Sequence, residues 1–202
     1  MNKLQRNDLL SLEAYAAERA NFRARVMAHK KHRSVQLGAH LTLAFEDRLT
    51  IQYQIQEMLR IERIFEANGI NEELDAYNPL IPDGKNLKAT LFIEYADAEQ
   101  RKRELARLAG LEHGITLAVD GHPSVTAIAD EDMDRSTEEK TAAVHFLRFE
   151  LSDGMVEAWK SGATVKLASA HPLMCEEVML SETLRKALAE DFSWVAPDSI
   201  RG

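Results

Sequence analysis

Glu46-Asp47-Arg48-Leu49-Thr50-Ile51-Gln52-Tyr53-Gln54-Ile55-Gln56-Glu57-Met58-Leu59-Arg60-Ile61-Glu62-Arg63-Ile64-Phe65 reads as one helix, and the arrangement of the remaining chain depends on how that helix is buried. Asp47 suits the N-cap, because its carboxylate can accept from the free amides of the first turn. The pattern continues to about Ala67, and Gly69 offers a stop. At roughly 100° per residue, Ile51, Ile55, Met58, Leu59 and Phe65 share one side, with Glu62 in the middle of the stripe. Tyr53, Ile61 and Ile64 lie opposite, together with Glu57, and Arg48, Gln52, Gln56, Arg60 and Arg63 form the polar edge. A helix apolar on two sides is expected between layers.

Glu57 and Glu62 therefore need partners, since an unpaired buried carboxylate costs free energy or takes up a proton. Two readings are open. Arginines such as Arg60, or a residue on another strand, satisfy the acids; or Glu57 or Glu62 faces a pocket as general base or metal ligand. A di-iron bundle would need Glu-x-x-His pairs, and this helix has no histidine.

At 202 residues, the chain suits a single domain spanning 1–202, with an N-terminal helix about 12–31 and a C-terminal tail about 192–202. An apolar fraction of 45% is enough for a core. No apolar run is long enough to cross a bilayer, and Met1 to Asp8 lacks the apolar stretch of a signal peptide. The lone Cys175 excludes an internal disulfide and a cysteine-built zinc or iron–sulfur site within this chain. These features point to a cytoplasmic protein without membrane attachment. The net charge of −8 argues against nucleic acid as a partner.

Ser11 caps the first helix, whose end is basic: Arg23, Arg25, His29, Lys30, Lys31, His32 and Arg33. Cations at a helix C-terminus are favoured by the macrodipole, so a solvated end is expected, with an anion patch as the alternative. His29 and His32, at i and i+3, permit metal binding but bring no third ligand. Residues 34–37 and 41–45 read as a hairpin leading into the central helix, and 71–77 as a short helix. Strands are expected over 87–95 and 142–151, with a helix between them starting at Asp97 and ending at Gly110. Residues 115–119 and 124–129 flank Asp120-Gly121 as a hairpin. The acidic run from Asp130 to Glu139 begins like a calcium loop, yet Arg135 and Thr141 occupy the positions for glycine and bidentate glutamate. His145 falls on the apolar face of its strand, as a hydrogen-bonded core residue or a pocket acid/base. A short helix ending at Gly162, strands over 163–168 and 176–180, and a last helix capped by Ser181 complete the chain. Helices first and strands returning through hairpins favour α+β, a largely antiparallel sheet packed against the long central helix.

No Gly-x-Gly-x-x-Gly, Walker loop, Gly-x-Ser-x-Gly or His-Glu-x-x-His occurs. His29-Lys30-Lys31 through Val35-Gln36-Leu37-Gly38, Phe45-Glu46-Asp47-Arg48, Gln54 to Glu62 and Glu139 to Phe149 together resemble a bacterial domain-of-unknown-function family along nearly the whole chain. Its genes often sit beside a rubrerythrin-like protein and an iron–sulfur oxidoreductase of the heterodisulfide-reductase type. The resemblance implies a redox or oxidative-stress setting by association, and it supplies no catalytic residue, cofactor or metal.

Three functions stay open on the sequence. The first is a non-enzymatic accessory or assembly partner of such an iron–sulfur or rubrerythrin-like protein. The second is a metal-dependent or acid/base enzyme using Glu57, Glu62 and His145. The third is a small-molecule or anion-binding module using Arg48, Gln52, Gln56, Arg60 and Lys88. A homo-oligomer is compatible with each.

Overall fold

The computed structural model describes residues 3–129 and 141–193. Ser11 accepts from the amide of Ala14 and opens α1 (Leu12–Lys30). The hairpin β1 (Ser34–Leu37) and β2 (Leu41–Glu46) turns at Gly38, whose φ of 65° is left-handed and whose missing Cβ leaves room for Glu176. Asp47 then starts α2 (Arg48–Ile61): its carboxylate accepts from Thr50 N, while the Thr50 hydroxyl accepts from Asp47 N. α3 (Ala67–Tyr77), β3 (Asn86–Ile93) and α4 (Ala98–Arg107) follow, then β4 (Ile115–Val119), β5 (Val125–Thr126) and β6 (Ile128–Ala129). The chain continues through β7 (Val144–Glu150), α5 (Asp153–Lys160), β8 (Val165–His171), β9 (Met174–Met179) and α6 (Glu182–Ala189).

The class is α+β, with antiparallel pairing throughout the described strands. They divide into two sheets, β1-β2-β3-β7-β6 and β5-β4-β8-β9. Alternation explains the main core: Leu41, Leu43 and Phe45 of β2, Leu87, Ala89 and Leu91 of β3, and Leu147 and Phe149 of β7 all face inward. They share one cluster with Leu117 and Leu167 of the second sheet, closed by Trp159 of α5 and Leu184 and Leu188 of α6. Residues 124–129, expected as one strand, are divided at buried Ala127. Val125–Thr126 pairs with β4, whereas Ile128–Ala129 crosses to β7 in the other sheet. The acidic run Asp130–Glu139 and the tail from Trp194 lie outside the described residues.

The central helix serves a second core. Ile51, Ile55 and Leu59 pack with Leu74 of α3, with Ile81, and with Leu4 from the segment before α1. On its other side Phe22 of α1 stacks on Tyr53 and meets Tyr15 edge-on. Thus α2 packs chiefly against α1 and α3, and its main sheet contact is with β2.

The helix also ends earlier than its periodicity suggests. Ile61 is the last helical residue, Arg63 turns left-handed at φ 55°, and Ile64 N donates to Leu59 O at 2.9 Å. This is the six-to-one bond of a Schellman stop, with Ile64 folded back onto the Leu59 cluster. Gly69, expected as the stop, sits inside α3, where a Cβ would lie 2.7 Å from Ile64 Cγ2. Gly69→Ala should therefore destabilise by about 1–3 kcal/mol, despite the better helix propensity of alanine, because Ile64 is pinned by the stop. A urea midpoint no lower than that of the parent chain would show that Ile64 gives way freely.

Candidate functional site

The polar edge of α2 faces the chain's own leading segment. Gln56 accepts from Leu10 N at 2.6 Å and donates to Leu10 O at 3.3 Å. Gln52 Nε2 donates to Asp8 O at 2.6 Å, and Arg48 pairs with the Asp8 carboxylate at 2.8 Å. Below α3, Asn78 treats Leu4 as Gln56 treats Leu10: it accepts from Leu4 N at 2.7 Å and donates to Leu4 O at 3.0 Å. Three of the five residues anticipated as a ligand site are therefore together, gripping residues 8–10. Arg60 is exposed at the far end of α2, and Lys88 lies on β3, opposite Glu46 and Arg148 in the register.

Glu57 is satisfied by α1, and its bonding partner is Arg19 rather than Arg60. Arg19 Nε and Nη2 each donate to its carboxylate at 2.7 Å, and the Tyr15 hydroxyl donates at 2.6 Å. The Arg19 pair outweighs burial and holds the Glu57 carboxyl down at about 2, while burial and the same carboxylate push the Tyr15 hydroxyl well up. A carboxylate so acidic is a poor proton acceptor at neutral pH, as general-base catalysis requires a pKa nearer the working pH. Glu62, expected within the apolar stripe, instead caps the shortened helix and is exposed to solvent.

His145 belongs to the core between the sheets and is fully buried. Its Nε2 lies 2.7 Å from Thr141 Oγ1 and 3.0 Å from Ala142 O, and Thr141 Oγ1 lies 2.8 Å from Glu112 Oε2. A carbonyl and a hydroxyl already donating to Glu112 both call for a proton on Nε2. In a nucleophile-activating triad the histidine would stand between hydroxyl and carboxylate and take the hydroxyl's proton. Here the hydroxyl stands between, so the order is that of a core polar network. Glu57 and His145 are thus built into different cores, with Glu62 outside both.

Sequence reasoning missed a fully buried cation. Arg33, read as part of a solvated basic end, is 1% exposed. Its guanidinium donates to Phe45 O at 3.2 Å, Glu46 O at 3.3 Å, Ala187 O at 3.0 Å and Asp191 Oδ2 at 2.5 Å. Nε also lies 3.4 Å from Asp47 Oδ2, which His29 Nε2 reaches at 2.5 Å. Burial pushes the Asp191 carboxyl up to about 6 against the pull of Arg33. Among the described residues its Oδ1, like Glu46 Oε2, is buried without a hydrogen-bond partner. A single arginine ending a basic helix gives no sequence sign that it binds an acid 158 residues away. Among the described residues, no three His, Cys, Asp or Glu side chains are placed to hold a metal ion, and no helix is long and apolar enough to cross a membrane.

The end of α2 faces solvent, as do Leu173 and Met179 at the β8–β9 hairpin. Ile61 is 63% exposed and Phe65 70%, the two most exposed large apolar side chains among the described residues. A shallow groove of about 410 Å³ runs beside Phe65, walled by Arg63, Glu66, Asn68 and Glu72. Glu73 borders the same acids: burial first, then the charges of Glu62 and Glu72, push its carboxyl up.

Residues 3–192 match a family described as a protein of unknown function, DUF3501. A crystal structure of a novel protein of unknown function from Burkholderia pseudomallei K96243 is 52% identical, with a TM-score of 0.91 over 95% of this chain and 100% of that one. Among curated proteins the comparison finds no match.

Proposed function

We propose, from the premise that this chain belongs to the DUF3501 family, that it is a non-enzymatic accessory protein that docks to a protein partner through the bare end of α2. One observation carries this reading: Ile61 and Phe65 stand in solvent on a turn held by a left-handed, non-glycine Arg63. Two large apolar side chains exposed within five residues of one turn favour a protein contact. Backbone held in a sparsely populated region clusters at working sites, and here it sets the angle between the two apolar groups. Glu62, Glu66, Glu72 and Glu73 outnumber Arg60 and Arg63 around them, so the complementary surface is an apolar cleft with a basic rim. The acid/base alternative loses support because Glu57 and His145 are committed to separate structural networks.

The partner class comes from the resemblance: an iron–sulfur oxidoreductase or a rubrerythrin-like protein in a cytoplasmic redox system. Co-expression of the chain with each of these, followed by affinity capture, tests the reading. The parent chain should retain one of them, and Ile61→Asp with Phe65→Asp should release it while the melting temperature stays within about 3 °C, as expected for surface changes. Failure of the parent chain to retain either protein, with and without peroxide, overturns the proposal.

Arg63→Gly separates display from stability. A left-handed residue with a Cβ costs about 1–2 kcal/mol, and glycine removes that strain while adding unfolded-state entropy, so a net gain of about 0.5–1 kcal/mol is expected. Partner capture should nevertheless weaken as the turn loosens. A variant that is less stable would assign Arg63 a structural bond instead.

A further inference from the structure

Residues 3–10 are attached to the helical layer in the manner of a bound peptide. The segment has little regular structure of its own beyond a short turn at Arg6–Asp8. Its hold on the protein comes from two carboxamides, each satisfying both backbone groups of one residue: Asn78 for Leu4 and Gln56 for Leu10. Such two-point amide clamps replace the strand or helix partner that a buried backbone otherwise needs. Leu4 is the anchor, 3% exposed among Ile51, Ile55 and Leu74 in the cleft between α2 and α3. Gln52 and Arg48 grip the intervening Asp8, whose side chain and that of Arg48 are each about a third exposed.

Nothing in these contacts requires groove and segment to belong to one molecule. Clamped Leu10 is joined to the first helical residue, Leu12, through Ser11 alone. Short connections of this kind are where identical elements exchange between copies, because every native contact is remade in the exchanged form. Held by side-chain bonds rather than a ladder, the segment can open without breaking a helix or a sheet.

We propose that the cleft between α2 and α3 is a peptide-binding site, and that residues 3–10 of a second copy occupy it in exchange, pairing two chains. The recognised chemistry is an extended backbone with leucine at position 4, an acid at position 8, and main-chain groups at positions 4 and 10 free to meet Asn78 and Gln56. This inference does not use Ile61 or Phe65, so it stands or falls apart from the docking surface.

Two full-length forms carrying different tags, mixed at high concentration and then diluted, provide the test. Capture of one tag should bring down the other, and Leu4→Asp in both forms should reduce that yield by about tenfold. A synthetic peptide of residues 3–11, labelled with a fluorophore, supplies the second arm. It should bind the Leu4→Ser chain about tenfold more tightly than the parent chain, whose own segment competes, and the Leu4→Asp peptide should bind neither. The peptide arm on the parent chain needs no altered fold, so instability of a variant does not rescue the idea. Mixed dimers that survive Leu4→Asp, or a peptide that binds the parent chain no better than its Leu4→Asp form does, would overturn the proposal.

Discussion

Arg33→Met should destabilise the fold by about 3–5 kcal/mol, the largest single-residue loss expected here, because it leaves buried carboxylates without their counter-charge. Arg33 joins three parts of the chain: the end of α1, the β2–α2 junction through Phe45 O, Glu46 O and Asp47, and the last helical turn through Ala187 O and Asp191. Methionine keeps most of the volume and removes the guanidinium's donors, so the loss reports the charge rather than a cavity. Adding Asp191→Leu should restore about half of it, since an apolar pair of similar size tolerates burial while Asp47 keeps His29. Urea midpoints of the single and double variants are the measurement. Equal losses in both would mean that the carbonyl bonds of Arg33, not its ion pair, hold the junction.

The second large effect is a stability profile with two limbs of opposite sign. The Glu57 carboxyl lies near 2 when folded against 4.5 ordinarily, so its contribution is present above 4.5 and is lost as pH falls toward 2. With its partner Arg19 partly in solvent, about 2–3 kcal/mol is a fair size for that limb. Asp191 works the other way. Raised from 3.8 to about 6, it binds more protons folded than unfolded, so stability declines as pH rises through that window and levels off above it. The span corresponds to about 3 kcal/mol as an upper bound. Denaturation from about pH 2.5 to about 7.5 should show Glu57→Gln flattening the acid limb and Asp191→Asn flattening the limb between about 4 and 6. If the stability difference between the parent chain and the Asp191→Asn variant is constant across that window, Arg33 keeps Asp191 ionised throughout.

Much of the fold was legible because local chemistry decided it. Asp47, Ser11 and Ser181 each cap the helix that the sequence assigns to them, and alternation located β3 and β7 to within two residues at either end. The end of α2 was not legible. Periodicity carried the helix through Arg63, while a tertiary contact, Ile64 on Leu59, stopped it with a residue that rarely turns left-handed. That error also placed Glu62 inside and hid the exposure of Ile61 and Phe65. The division of residues 124–129 between two sheets follows from where β7 lies, which short-range pattern does not encode.

The candidate residues fared according to what they needed. Glu57 was rightly read as needing a partner, yet the partner was Arg19, 38 residues earlier on a helix whose facing side is set by Tyr15 and Phe22 stacking toward Tyr53. Gln52 and Gln56 looked like ligand groups because amides on a polar edge suit a bound molecule. They do meet peptide groups, those of Asp8 and Leu10. Arg33 was misread, since its acid lies near the other end of the described chain.

α2 divides into a bonded body and a working end, and one capture experiment puts both halves to the test. The parent chain, Glu57→Gln, and Ile61→Asp with Phe65→Asp are each co-expressed with the iron–sulfur and rubrerythrin-like proteins, and melting temperature is recorded beside partner yield. Glu57→Gln should melt lower and keep its partner, while the double variant should melt like the parent and lose it. A Glu57→Gln chain that melts normally yet loses its partner, beside a double variant that keeps it, would contradict the account.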